Sequence, residues 1–207
     1  MKTVLILFFL FIFSSASAQF VAKLEVKEPI PGVCNEKEVY VLFPSFKGQK
    51  RAISPLKDDE ILAKFDFVVA SVHSAMKMDE EKATTRLIKA IENPFTTILG
   101  HPTGRLLLAR NGYPLDFKKI IDACAANKVV IEINANPLRL DLDWRLHRYA
   151  IEKGVLLSIN PDAHRKEGFM DMQYGIYVAR KGGLSKENCL NSFNLAEIES
   201  YFKQKRA

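Results

Sequence analysis

The sequence predicts an α/β fold: a parallel sheet of about four strands alternating with helices, preceded by a small N-terminal extension. From Phe65 onwards, runs of strand-forming residues alternate with amphipathic helical patterns, and this repetition is typical of a parallel sheet. Three of the strand-like runs end on a histidine or aspartate. In α/β barrels, functional side chains lie at the C-terminal ends of strands. We therefore expect a site at one edge of the sheet.

The predicted strands are 65–73, 96–101, 129–134 and 155–160. The third is rich in β-branched residues and mostly apolar, as expected of a strand buried on both faces. Helical patterns, some with apolar residues at i, i+3, i+4 and i+7, predict helices from 79 to about 92, around 106–108, and at 117–124, 141–153, 171–181 and 195–205. Cys124 lies on an apolar helical stripe, so we expect it to be buried. Four strands make about half of a closed barrel, which typically needs ~250 residues.

The N-terminus has a different texture. Lys2 precedes an apolar run from Val4 to Phe13, and small residues follow up to Ala18, which predicts a secretory signal peptide over 1–18. The run is too short for a permanent membrane span. Residues 19–64 are interpreted as a spacer or small β-containing extension typical of exported proteins. A strand is expected at 38–43, turning back into a second at 51–53.

Composition sets broad limits on function. The chain has 207 residues and a net charge of +6, with 48% hydrophobic and 26% charged residues, which is ordinary for a soluble globular protein. The charge suits a phosphate-bearing substrate without requiring nucleic acid. The three cysteines are far apart and form no CxxC pair, which argues against a zinc ribbon or a dithiol redox motif.

The candidate metal ligands are His73, His101, Asp162 and His164, each at the end of a predicted strand or just after it. Imidazole and carboxylate suit Zn²⁺, Mn²⁺ or Fe²⁺, and ligand type alone does not choose among them. His147 lies mid-helix and is expected on the helix surface. Glu132 lies mid-strand, where a structural role is favoured over a catalytic one.

The body from about 65 to the C-terminus resembles the C-terminal part of the PHP (polymerase and histidinol phosphatase) domain, particularly the version attached to bacterial family X DNA polymerases. Four strings carry the resemblance, in the family's order. They are Phe67-Val68-Val69-Ala70-Ser71-Val72-His73-Ser74, Ile98-Leu99-Gly100-His101-Pro102-Thr103-Gly104-Arg105, Ile131-Glu132-Ile133-Asn134-Ala135-Asn136-Pro137 and Ile159-Asn160-Pro161-Asp162-Ala163-His164.

The resemblance implies a distorted (β/α)7 barrel, here partial, with two or three metals in its mouth. It also implies hydrolysis of phosphoesters, as a 3′-to-5′ exonuclease or a related phosphatase. The four candidate ligands above occupy family ligand positions. Bound metals would lower the pKa of a water molecule and orient it for attack. Three further side chains are candidates for binding substrate phosphate, with loop bracing as the alternative for each: Arg105, Asn136 and Arg139.

The family's first half supplies a His-x-His pair and further ligands, but no His-x-His occurs here and no histidine precedes His73. We therefore expect an incomplete and inactive metal site. The signal peptide predicts export, whereas the PHP body alone is expected in the cytoplasm, so a composite chain joined near 63–65 would explain both. A non-catalytic exported interaction module is the alternative function. A separate first half that completes the barrel is a third hypothesis.

Overall fold

The computed structural model describes residues 21–25, 38–42, 62–63, 65–73 and 75–205. The predicted signal peptide at 1–18 lies outside these ranges. Strand β1 (Val21–Glu25) pairs antiparallel with β2 (Glu38–Leu42). The predicted strand at 38–43 is thereby confirmed, and its partner in the described structure is β1. The segment 51–53, which was expected to pair with it, lies outside the described residues.

The body contains a four-stranded, all-parallel sheet. Its strands are β3 (Val69–Ala70), β4 (Ile98–Leu99), β5 (Val130–Asn134) and β6 (Leu157–Asn160), paired in the order β3-β4-β5-β6. Each lies within a predicted strand, so the predicted α/β class with a partial PHP-type barrel is confirmed.

The first two strands are shorter than expected, and a threonine contributes to this. The Thr97 hydroxyl accepts a hydrogen bond from the Val68 N–H at 2.6 Å and donates to the Val68 carbonyl at 2.8 Å. A side chain therefore takes part in the contact between the two segments just before the regular β3–β4 pairing begins.

Among the residues that the structure describes, five α-helices accompany the sheet: α1 (Glu80–Ile91), α2 (Phe117–Ala126), α3 (His147–Glu152), α4 (Met172–Lys181) and α5 (Leu195–Lys205). Aspartate side chains cap the first two. Asp79 accepts the Lys82 backbone N–H at 2.8 Å, and Asp116 accepts that of Lys119 at 3.1 Å. Such caps satisfy backbone donors that a helix leaves unpaired at its N-terminus. In the described part of the chain, no helix combines the length and apolar character needed to cross a bilayer.

One predicted helical segment is wrong, and another begins later than expected. Residues 106–108 form a tight turn, in which Leu106 bridges to Arg110 and the Leu107 N–H donates to the Leu138 carbonyl at 2.6 Å. In the predicted helix 141–153, a 3₁₀ helix covers Trp144–Leu146 and α-helix follows over His147–Glu152. Asp141 is held away from a helical path because its carboxylate accepts the Thr103 N–H at 2.8 Å and the Thr103 hydroxyl at 2.7 Å.

The prediction for His147 is also wrong, because its side chain is fully buried. The end of α4 packs directly onto its ring: a Cβ added at Gly182 would lie 2.1 Å from Nδ1. Its Nε2 lies 3.3 Å from the Leu142 carbonyl. Burial lowers the pKa of His147.

The main core lies between the sheet and helices α1 to α4. It contains Cys124, which is buried as expected, together with Ile131 and Ile133 of β5. All five residues of β5 are buried, in agreement with a strand covered on both faces. A smaller cluster joins Ile98 and Val130 to α5 through Ile198 and its neighbours.

Candidate functional site

The C-terminal ends of the sheet strands bring the predicted ligands into one cluster. His73 follows β3, His101 follows β4, and Asp162 and His164 follow β6. The His73 and His101 ring centroids are 4.9 Å apart, with the rings edge to face. Asp162, Arg139 and His164 all lie close enough for their charges to act on His73. Parallel strands thus place residues far apart in the chain at the same edge.

The two facing histidines are held neutral. Burial, followed by the neighbouring His101, lowers the pKa of His73 to about 4. Burial also lowers the pKa of His101. A neutral imidazole is the form that binds metal. His73 Nε2 lies 2.7 Å from the Ser71 hydroxyl, whereas His101 Nδ1 is buried with no hydrogen-bond partner.

Asp162 forms the other wall of the cluster. Its carboxylate oxygen Oδ2 lies 2.9 Å from Arg139 Nε and accepts the Asn134 amide at 3.2 Å. The carboxylate is only 6% exposed and the Arg139 side chain 13%, so this ion pair is screened little by solvent. The Asp162 backbone carbonyl lies 2.6 Å from His164 Nδ1.

The donor types suit a divalent metal, and His101 Nδ1 is a buried nitrogen without a partner. The arrangement does not fit one: among the described residues, no group of three or more His, Cys, Asp or Glu side chains is placed to hold a metal ion. Contacts within the cluster help explain this. Asp162 is engaged by a guanidinium, and His73 Nε2 by a hydroxyl. The assignment of these residues as ligands remains a prediction.

The three predicted phosphate-binding residues occupy different environments. The Arg105 guanidinium donates to the Arg139 carbonyl at 2.7 Å and to the Leu140 carbonyl, and it lies 3.6 Å from Asp143. The Asn136 side-chain oxygen accepts the Leu138 N–H at 2.9 Å. Both therefore brace the loop after β5. Arg139, in contrast, contacts Asp162 directly. A substrate role for any of the three remains a prediction.

Polar residues lie beneath the cluster, among them Glu132, for which the sequence favours a structural role. Glu132 is buried in β5, where burial and then the Asp162 charge raise its pKa to about 7. Its carboxylate contacts His101, Asn134 and Asn160. The sequence contains one indication of this polar layer. Glu132 and Asn134 are two residues apart, so both point to the same face of a strand that is otherwise apolar.

Comparison with known proteins finds similarity to a polymerase/exonuclease and to several probable phosphatases. The chain is 41% identical over 147 residues to the DNA polymerase/3′-5′ exonuclease PolX of Bacillus subtilis strain 168, covering 71% of this chain and 26% of the polymerase. It is 28% identical over 155 residues to a probable phosphatase of Thermoanaerobacter sp. strain X514, covering 70% of this chain and 60% of that protein.

A probable phosphatase of Vibrio parahaemolyticus is 29% identical over 147 residues, covering 67% of this chain and 56% of that protein. The chain thus spans about a quarter of the polymerase and somewhat over half of the phosphatases. No protein-family model matches the chain. These relatives and the parallel α/β sheet are consistent with a PHP domain in the C-terminal part of the chain, from about residue 65 onwards.

Proposed function

We propose that this chain carries the C-terminal part of a metal-dependent phosphoesterase site of the PHP type, acting on phosphate esters or on the 3′ ends of DNA. The observation that carries the proposal is the meeting of His73, His101 and Asp162 at one edge of the sheet, with Arg139 beside them. The names of the relatives, an exonuclease and probable phosphatases, support this substrate class.

The chain's own residues contribute binding and charge. The planar guanidinium of Arg139 is suited to pairing with a phosphate oxygen, and a phosphate arriving at the site would compete with Asp162 for it. The neutral imidazoles of His73 and His101 offer lone pairs rather than positive charge. Because the four predicted ligands do not form a metal site by themselves, we propose that further ligands must join them before turnover.

Hydrolysis assays of the full chain test this proposal. A phosphomonoester and a single-stranded DNA with a labelled 3′ end are incubated with the protein, Mn²⁺ or Zn²⁺, and a separate first half that carries His-x-His. We expect any activity to be lost in His101→Ala and Asp162→Ala and kept in the control Asp66→Ala, since Asp66 is exposed. Equal activity in wild type and both site variants would show that the chemistry lies elsewhere.

A second candidate is a non-catalytic exported interaction module. It is favoured by the finding that no metal-holding group of side chains occurs among the described residues. Elemental analysis of the chain, alone and with a first half that carries His-x-His, separates the two proposals. Mn, Zn or Fe that binds when the first half is present and is lost in Asp162→Ala supports the phosphoesterase; a folded chain that binds no metal in either case supports the module.

Two further proposals concern the chain's setting. We propose export through the signal peptide at 1–18, for which mass spectrometry of the protein made by a secreting host should show a mature N-terminus at Gln19. We also propose that a separate first half carrying His-x-His completes the barrel. Co-purification with such a segment, with gain of metal binding, is the expected result; a strictly monomeric chain with full metal content contradicts it.

A further inference from the structure

Glu132 places a carboxylate at a buried position in the sheet. It lies in the middle of β5, between the apolar residues Ile131 and Ile133, and is 6% exposed. Removing a carboxylate from water is unfavourable unless hydrogen bonds replace its hydration. A leucine at this position would avoid that cost. The hydrogen bonds made by Glu132 therefore show what the carboxylate does.

Three donors converge on this carboxylate from three strands. Oε2 accepts the His101 backbone N–H at 2.6 Å and the Asn134 amide at 3.2 Å, while Oε1 accepts the Asn160 amide at 3.0 Å. His101 follows β4, whereas Asn134 and Asn160 end β5 and β6. One side chain therefore ties together the ends of three adjacent strands.

The same contacts reach both walls of the candidate site. His101 is bonded directly through its backbone. Asp162 is reached through Asn134, whose amide nitrogen lies 3.2 Å from both Glu132 Oε2 and Asp162 Oδ2. The backbone at His101 has φ +25° and that at Asp162 has φ +51°. Non-glycine residues in such conformations persist only when their surroundings hold them.

We propose that Glu132 is the positioning residue of this site: its carboxylate fixes the backbone of His101 and, through Asn134, the carboxylate of Asp162. A catalytic consequence rests on the proposed phosphoesterase function, whereas the positioning itself does not. Glu132 acts from beneath the cluster and touches neither substrate nor reacting atoms. Its contribution is the distance and orientation between the two walls.

The geometry allows a charge-swap test. In Glu132→Gln, the amide oxygen can still accept the His101 N–H, but the new NH₂ group then faces the NH₂ group of Asn160. The double variant Glu132→Gln/Asn160→Asp restores a donor–acceptor pair at that contact. Glu81→Gln, an exposed glutamate on α1, is the control for loss of one negative charge.

The first readout is NMR of the full chain and needs no activity. A 2.6 Å bond to a carboxylate should place the His101 amide proton well downfield and protect it from exchange. Glu132→Gln should move it upfield and shift the His101 ring resonances, and the double variant should reverse much of both changes. An ordinary amide shift for His101 in the wild-type protein overturns the proposal, even if no variant folds.

The second readout is kinetic. Mutation of a residue that hydrogen-bonds to a metal ligand and orients it typically lowers activity by about 10- to 100-fold. With 3′-labelled single-stranded DNA, Mn²⁺ and an added first half that carries His-x-His, kcat should fall by that factor in Glu132→Gln with little change in KM. It should recover in the double variant and stay unchanged in Glu81→Gln. An unchanged kcat in a folded Glu132→Gln variant refutes the catalytic role. Absence of hydrolysis in wild type even with the first half present refutes the proposed function instead, and the NMR result then decides the positioning alone.

Discussion

The contact between α4 and the sheet can be tested by adding a single methyl group at Gly175. This glycine is buried on the helix face that packs against the ends of β5 and β6. A Cβ built there would lie 2.5 Å from Ile159 Cγ2, 2.6 Å from the Ala135 Cβ and 3.3 Å from the Ala135 Cα. None of these atoms is the far end of a flexible side chain. The helix or the strand ends must therefore move.

The size of the effect follows from two opposing contributions. Overpacking a well-filled core costs typically 1–3 kcal/mol, and two contacts below 3.0 Å place this site near the upper end, about 3 kcal/mol. Replacing glycine by alanine inside a helix stabilises the folded protein by about 1 kcal/mol. We expect Gly175→Ala to lower the free energy of unfolding by about 2 kcal/mol. That corresponds to a fall in Tm of roughly 4–8 °C for a chain of this size.

Urea unfolding followed by circular dichroism provides the measurement. Gln173→Ala, at an exposed position of the same helix, controls for helix propensity and should change stability by less than about 0.5 kcal/mol. The double variant Gly175→Ala/Ala135→Gly lacks one of the two closest contacts. Its loss of stability should therefore be smaller than the sum of the losses in the two single variants. A Gly175→Ala variant as stable as wild type, or more stable, would refute the close packing of α4 on the sheet.

Three further outcomes follow from capping, packing and burial. Asp79→Ala removes the cap on the Lys82 N–H and should cost about 1 kcal/mol by urea unfolding, whereas Asp79→Asn should cost clearly less. Leu99→Ala empties a fully buried position and should cost about 2–5 kcal/mol; a smaller loss would indicate a loosely packed sheet. Because burial lowers the folded-state pKa of His147, the unfolded chain binds a proton first as pH falls below about 6.5. His147 thus contributes stability that is lost towards acid, and unfolding free energies measured from pH 7 to pH 5 should fall less steeply in His147→Gln. An identical pH slope in the two proteins would contradict the burial of its ring.

The fold class could be predicted because the determining pattern is local. Strand-forming runs separated by amphipathic stretches predict a parallel sheet wherever the helices lie. The exact strand ends could not be predicted, since the Thr97 hydroxyl bonds to residue 68 across the sheet. The late start of the helix expected at 141–153 has the same kind of reason. The contact between Asp141 and Thr103 joins residues far apart in the chain.

The location of the candidate site was predictable for a geometric reason. Parallel strands end at one edge, so residues following them meet there. The positions of the polar residues beneath the site depend on the register in which β5 pairs with β6. Asn134 lies opposite Asn160, and that pairing places both amides beside Glu132. The burial of His147 likewise depends on Gly182, the residue that ends α4. No local pattern predicts the pairing of Asn134 with Asn160 or the contact of His147 with Gly182.

The order of the strands in the sheet has a consequence for how such a body can be assembled and recombined. Each strand pairs with the one that precedes it in the chain, so each ladder joins segments separated by only about thirty residues. The partner of each of the strands β4, β5 and β6 on its N-terminal side is therefore synthesised before it. A break placed between two units severs one ladder and leaves the others intact. The architecture is therefore modular along the chain, and a group of consecutive units retains its internal pairing when its neighbours change.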